Sequence, residues 1–173
     1  MLLGLAFVLP ACGEEQESSP TGRSRGAATA PAVECKTIGQ TGDDTLLLCW
    51  RGDSRWPGRF VRQTGAIRRA LDVSQPTKVG HWAWAKVSPD GETILGQWSA
   101  ECEVPIAYLI PVAGGPPREA VPATESKALG WTKDGRAIVE VLEGECGPSA
   151  PKPGFYLVDP AGGREGPFKQ RPD

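Results

Sequence analysis

The sequence predicts an all-β fold of antiparallel sheets, and three observations carry that prediction. The 173 residues include 22 Gly and 17 Pro, a composition that favours many turns between short segments over long helices. Short apolar runs alternate with Asp-Gly and Gly-Gly turns, the chemistry of hairpins. The plan also repeats: a strand, a tight turn, a second strand and a cysteine in WAWAKVSPDGETILGQWSAEC (82–102) return in LGWTKDGRAIVEVLEGEC (129–146). A hydrophobic content of 39% supports one core of ordinary domain size. The formal net charge of −2, from 19 basic and 21 acidic residues, excludes nucleic acid as a partner of the whole chain, because that role needs a strongly basic face.

Taken in order, the chain opens on the apolar run MLLGLAFVLP, ends it at Ala11-Cys12 and then turns polar. At about ten residues the run is too short to span a bilayer. Residues 1–12 resemble a bacterial lipoprotein signal, in which a small residue precedes the cut and the cysteine becomes the lipid-bearing first residue. The resemblance implies lipidation at Cys12 and an extracytoplasmic, membrane-anchored protein of the cell envelope. Residues 13–31, GEEQESSPTGRSRGAATAP, contain almost nothing large and apolar. They cannot bury enough surface to offset their ordering entropy, and they read as a disordered tether. The folded domain is expected over 32–173.

With Cys12 set aside, Cys35, Cys49, Cys102 and Cys146 remain, an even number in a chain expected to be exported, so two disulfides are expected. Cys35 and Cys49 lie symmetrically about Gly42, inside the turn sequence Thr41-Gly42-Asp43-Asp44. In an antiparallel hairpin centred there they face each other across the strands. Cys102 is left to pair with Cys146. A four-thiolate zinc site is disfavoured because no Cys-x-x-Cys pair exists.

Three units follow, each of about three strands with a weak fourth. The first runs from Val33 to Leu71 through VECKTI, TLLLCW, RFVRQ and AIRRAL; the second holds HWAWAKV, TILGQW and IAYLIPV; the third holds KALGW, AIVEVL and GFYLVDP. Asp134 and Cys146 each lie 44 residues beyond Asp90 and Cys102, and Tyr156 lies 48 beyond Tyr108, the loop GPSAPKPG absorbing the change. The first and second units match at an offset of 48, through Thr45/Thr93, Trp50/Trp98 and Phe60/Tyr108. A period in the forties with units of up to four strands is in the range of propeller blades. The turn Val87-Ser88-Pro89-Asp90-Gly91, the aromatic-led strand Tyr156-Leu157-Val158-Asp159 and the turn Ala161-Gly162-Gly163 resemble the repeat of TolB-type, WD-like β-propellers, over roughly residues 33–168. The resemblance implies an extracytoplasmic scaffold that binds proteins or other ligands, without fixing an activity. Closed propellers need at least four blades, so three units predict a partial, unclosed propeller with open edges at both ends.

The candidate sites lie in loops. Glu101 and Glu103 flank Cys102, and Glu143 and Glu145 precede Cys146, so a bridge between these cysteines gathers four carboxylates that could hold Ca²⁺ or a cationic partner; the plain alternative is a solvated acidic rim. Of six tryptophans, Trp82 and Trp84 alternate and are expected on one face of a strand, while Trp50, Trp98 and Trp131 fall within or at the end of strands and are expected to pack the core. Trp56, in a polar loop, is the exposed candidate for a sugar or peptide platform. The single histidine, His81, begins a strand, and no Gly-x-Ser-x-Gly elbow accompanies it, so no hydrolytic triad is expected. The tripeptide Arg51-Gly52-Asp53 is read as a coincidence of a Gly-rich turn. Residues 51–78 carry seven basic and two acidic side chains, whereas 90–145 carry ten acidic and four basic, so the first unit could meet an acidic surface on a partner or on another copy. No catalytic residue, metal or cofactor is expected. The reading is a non-enzymatic binding or scaffold protein held at the membrane, with a protein partner or self-association; the alternative is a carbohydrate-binding or hydrolytic envelope protein using Trp56 and the acidic loops.

Overall fold

The computed structural model describes residues 32–52, 57–99, 104–122, 124–144 and 151–172, with the backbone alone at Thr124, Glu143 and Gly144. Twelve strands and no helix occur among them: β1 (Val33–Thr41), β2 (Asp44–Arg51), β3 (Arg59–Thr64), β4 (Ile67–Ala70), β5 (His81–Val87), β6 (Thr93–Ser99), β7 (Pro105–Pro111), β8 (Arg118–Glu119), β9 (Thr124–Trp131), β10 (Ala137–Gly144), β11 (Gly154–Val158) and β12 (Arg164–Phe168). They form three four-stranded sheets, each an antiparallel meander in chain order: β1–β4, β5–β8 and β9–β12. The protein is therefore all-β, with three propeller-blade-like sheets and no closure into a barrel. The fourth strand of each unit, weak in the sequence, is formed in all three sheets, and β8 is the shortest at two residues.

The turns explain the hairpins. Ser88 Oγ donates to Asp90 Oδ1 and accepts the Thr93 amide at 2.9 Å, and the Ser88 amide donates to the Thr93 carbonyl at 2.7 Å. Thr132 repeats the device: its hydroxyl donates to Asp134 and accepts the Arg136 amide at 2.9 Å. Both devices are local side-chain-to-backbone bonds that favour a turn over continued strand. In the first unit, Thr41 pairs directly with Asp44, a two-residue loop with Gly42 at φ 55°.

The sheets pack face to face, and alternate residues of the middle sheet serve two cores. Ile94, Trp98, Tyr108 and Ile110 face the first sheet, where they meet Leu46, Leu48 and Phe60. Leu95, Ala107 and Leu109 face the third sheet and meet Val139, Val141 and Tyr156. This is the period-2 alternation of a sheet buried on both faces. The first strands of successive sheets lie side by side: a Cβ on Gly39 of β1 would sit 2.6 Å from Val87 Cβ of β5, and Trp131 Nε1 of β9 donates to the Lys86 carbonyl of β5 at 3.0 Å. Glycine at position 39 is what permits that approach.

Two expectations are corrected. Trp82 and Trp84 do not share a face: Trp82 enters the core against the first sheet, and Trp84 packs on the core against the third. A β-bulge between them is the cause, since Trp82 pairs with Trp98 while Trp84 pairs with Gln97. The offset of 48 between the first and second units also fails in space. Phe60 and Tyr108 enter the same core from opposite sheets, as do Trp50 and Trp98. The pairing keeps that offset, Phe60 opposite Leu48 and Tyr108 opposite Gly96, but the matched residues face the next sheet in the first unit and the preceding sheet in the second. Tyr108 and Tyr156 are true counterparts, each facing the preceding sheet.

Five tryptophans pack in or against the two cores, Trp50, Trp82 and Trp98 in one and Trp84 and Trp131 in the other. The Cys35–Cys49 disulfide is formed, between directly paired residues of β1 and β2 with Cα atoms 4.0 Å apart. That register follows from the hairpin centred at Gly42.

Candidate functional site

Most of the loop candidates fall beyond the description. Cys12, Trp56, Glu101, Cys102, Glu103, Glu145 and Cys146 lie outside the described residues, and so does the Cys102–Cys146 pairing. The backbone of Glu143 pairs with that of Glu125 across β10 and β9. The strand ends adjoining these loops are topologically equivalent: the β2–β3, β6–β7 and β10–β11 connections each join the second and third strands of a sheet. His81 is exposed at the first position of β5, as its sequence setting suggests. No group of three or more His, Cys, Asp or Glu side chains converges among the described residues.

The structure instead brings together a cleft of about 490 Å³ where the β3–β4 hairpin of the first sheet meets the end of β7 in the second; Arg62, Arg69, Asp44, Ile67 and Val112 are among its walls. The register places Arg62 opposite Arg69 on the same face of neighbouring strands. Like charges directly opposite one another destabilise a strand pair, so the pair has a local cost that its surroundings must offset. Arg62 Nη2 donates to the Val112 carbonyl at 3.3 Å, which ties the two sheets across the cleft. Arg62 Nε is buried without a hydrogen bond and stands 3.8 Å from Asp44 Oδ2, beyond hydrogen-bond distance. Asp44 is already engaged, its Oδ1 accepting from Thr64 Oγ1 at 2.6 Å. Arg69 is exposed and forms no ion pair among the described residues.

The apolar part of the cleft is contributed by Ile67, Leu71 and Val112. Ile67 is 59% exposed, one of three large apolar side chains so placed among the described residues. The arrangement combines permanently charged, fork-shaped donors with an apolar wall. It can hold a carboxylate or another planar oxyanion attached to an apolar body. A second cleft, of about 800 Å³, lies on the third sheet and is lined by Glu125, Glu140, Lys152, Lys169 and Phe168 among others. Both clefts hold two acidic and two basic side chains, Asp44 and Asp72 standing with Arg62 and Arg69 in the first; what sets the first apart is that its two arginines share one row of the sheet.

Sequence reasoning found the basic excess of residues 51–78 but not the cleft. Arg62 and Arg69 read as ordinary polar positions in RFVRQ and AIRRAL, and only the β3–β4 register shows that they share a row. The Val112 carbonyl, fifty residues away, has no local signature. No protein-family model matches the chain, and no curated protein matches it.

Proposed function

We propose that the protein is a lipid-anchored, extracytoplasmic binding or scaffold protein of the TolB-like, propeller-related kind, and that it acts by holding a ligand rather than by transforming one. The observation that carries this reading is the cleft between the first and second sheets, with Arg62 and Arg69 in one row. Guanidinium groups stay protonated at every physiological pH, so they retain an anion but neither take nor give a proton. The anchor rests on Ala11-Cys12 at the end of the apolar run, and the Cys35–Cys49 bridge fits an oxidising compartment.

Labelling with radioactive palmitate in a bacterial host, followed by fractionation, tests the anchor. The wild type should carry label and stay with the membrane, and Cys12→Ala should be unlabelled and soluble; an unlabelled, soluble wild type refutes it. Affinity capture from envelope extract tests the cleft. Arg62→Lys, which keeps the charge and loses the fork, and Arg69→Ala should each weaken capture by roughly tenfold, the scale of one charge-assisted hydrogen bond. Capture that is absent, or indifferent to both changes, refutes the binding role assigned to the cleft. Peptide mapping of the non-reduced protein should return Cys35–Cys49 and Cys102–Cys146; a Cys35–Cys102 peptide overturns the pairing.

A further inference from the structure

We propose that β4 is a docking edge for an extended acidic peptide, which adds beside it as a fifth strand and sets a carboxylate against Arg69 at the mouth of the cleft. The inference rests on the binding role above and names the class of partner.

The three sheets differ in their outer strands. β8 has two residues, and β12 contains Pro167, which has no amide hydrogen to donate, and an irregular register. Both are poor templates. β4 is regular: Val61, Arg62, Gln63 and Thr64 pair in unbroken register with Ala70, Arg69, Arg68 and Ile67. All four of its residues are exposed, and its far edge pairs with no strand among the described residues. Such an edge accepts an added strand through main-chain hydrogen bonds, and alternate side-chain positions then select the sequence.

The selection follows from the rows of the sheet. Leu46, Arg62 and Arg69 lie in one row across β2, β3 and β4. The residue that an added strand places next in that row faces Arg69, and a carboxylate there relieves the repulsion between the two guanidinium groups. Two residues away on either side along the same face, β4 offers exposed Ile67 and the half-buried Leu71 that follows it. The partner is therefore an acidic residue with apolar residues at the second position on each side. A row of charge on an edge strand also serves to prevent aggregation, but that role gives no reason for two arginines to be stacked in one row beside an exposed isoleucine. A second copy is the wrong occupant, because each two-fold antiparallel pairing of β4 with β4 sets either Arg68 or Arg69 directly against its own counterpart.

The test uses the full chain and a fluorescent peptide of sequence valine-threonine-glutamate-threonine-valine, with a matched peptide carrying lysine at the centre. Fluorescence anisotropy should show binding of the glutamate peptide with Kd below about 1 mM, and binding of the lysine peptide about tenfold weaker or less. Arg69→Glu should reverse the preference, an outcome that misfolding cannot produce. Amide hydrogens of β4 that point away from β3 should gain protection from exchange when the glutamate peptide is present. Absence of binding, equal binding of the two peptides, or competition by acetate as effective as by the peptide overturns the proposal; the last result would make the cleft a site for small anions. A dimer in sedimentation that Arg69→Glu alters assigns the edge to a second copy and overturns it as well. If both peptides fail while envelope capture still depends on Arg62 and Arg69, the binding role stands and the strand-addition mode falls.

Discussion

The two cores that hold the three sheets together are built on different principles. Between the first and second sheets the core is aromatic: Trp82 sits with its ring centroid 5.2 Å from Phe60, 5.0 Å from Trp98 and 5.9 Å from Tyr108, tilted or edge-on to each. These are the separations and tilts that aromatic quadrupoles prefer. Gly96 makes room for them, since a Cβ there would lie 2.8 Å from the Trp82 ring. Between the second and third sheets the core is mainly aliphatic, with Leu95, Leu109, Val121, Val139, Val141 and three alanines around one buried ring, Tyr156, while Trp84 and Trp131 pack against it as partly buried side chains. Two buried polar side chains run through it. Gln97 Nε2 donates to the Ser126 carbonyl at 3.2 Å, Gln97 Oε1 accepts the Ala128 amide at 2.8 Å, and Ser126 Oγ accepts the Ala107 amide at 3.0 Å.

The difference shows two ways of fixing one sheet on the next. Large rings bury much area and bind strongly, but dispersion and the hydrophobic effect have little directional preference. The second core adds direction through buried polar groups. β9 is the edge of its sheet, and the carboxamide of Gln97 meets one carbonyl and one amide on its free side, as a peptide group of a neighbouring strand would. The network is satisfied at each of these groups, the condition under which a buried polar cluster specifies an arrangement instead of weakening it.

The strongest way to break this contrast is Trp98→Ala. The ring is fully buried, at 0% exposure, and its Nε1 donates to Thr77 Oγ1 at 3.1 Å. Truncation should cost about 3–5 kcal/mol by urea unfolding, most of it from the cavity and the lost transfer energy. It should also abolish much of the near-ultraviolet circular dichroism. A cost under about 1 kcal/mol would show that the core collapses around the gap and that the aromatic packing is not what holds the first two sheets together.

Gln97→Met removes the carboxamide at nearly constant volume. It leaves the Ala128 amide and the Ser126 carbonyl without their partner in a buried setting, at about 1–3 kcal/mol. Hydrogen exchange should speed up at Ala128 while the amides of β1–β4 keep their protection. A variant as stable as the wild type would mean that water replaces the carboxamide, and that the directional account of this core is wrong.

Much of this architecture is legible in the residues, and what escapes has a physical cause. The strands, the Asp-Gly turns and the Cys35–Cys49 bridge follow from period-2 patterning and local turn chemistry, which depend on near neighbours alone. The bulge between Trp82 and Trp84 does not, because an extra residue in one strand shows only against the register of its partner β6. Phe60 and Tyr108 look equivalent because their spacing and pairing match, and which neighbouring sheet each one faces is decided only when the sheets stack. Gln97 alternates with apolar neighbours in TILGQW and reads as a solvent-facing position. Its burial appears only once a third sheet covers that face. The cleft arginines meet within the β3–β4 hairpin, but the cleft they line forms only when the end of β7 comes up against it.

The smallest expected effect separates the two hairpin turns that look most alike. The Asp90 carboxyl is held below the usual carboxylate range first by the Ser88 hydroxyl and then by the Glu92 amide, against an opposing effect of burial. That of Asp134 is held low first by the Thr132 hydroxyl, also against desolvation, with Arg136 adding a coulombic contribution through Nε at 2.8 Å. A carboxyl lowered in the folded state contributes stability that is fully present above the unfolded value, about 3.9, and is lost as pH falls through the folded value. The urea midpoint should therefore be unaffected by these groups near neutrality and decline only below about pH 4. Asp90→Asn and Asp134→Asn should each make that acid decline shallower, because an amide still accepts from the hydroxyl but no longer titrates. Salt then tells them apart. Arg136 is partly exposed and shared with the exposed Glu165 at 3.0 Å, so its attraction is screened. The difference between Asp134→Asn and wild type should shrink at high salt, while that of Asp90→Asn, which rests on short hydrogen bonds within the turn, should hold. If salt erases both equally, the two turns are electrostatic devices of one kind, and the hydroxyl of Ser88 is not what sets the charge of Asp90.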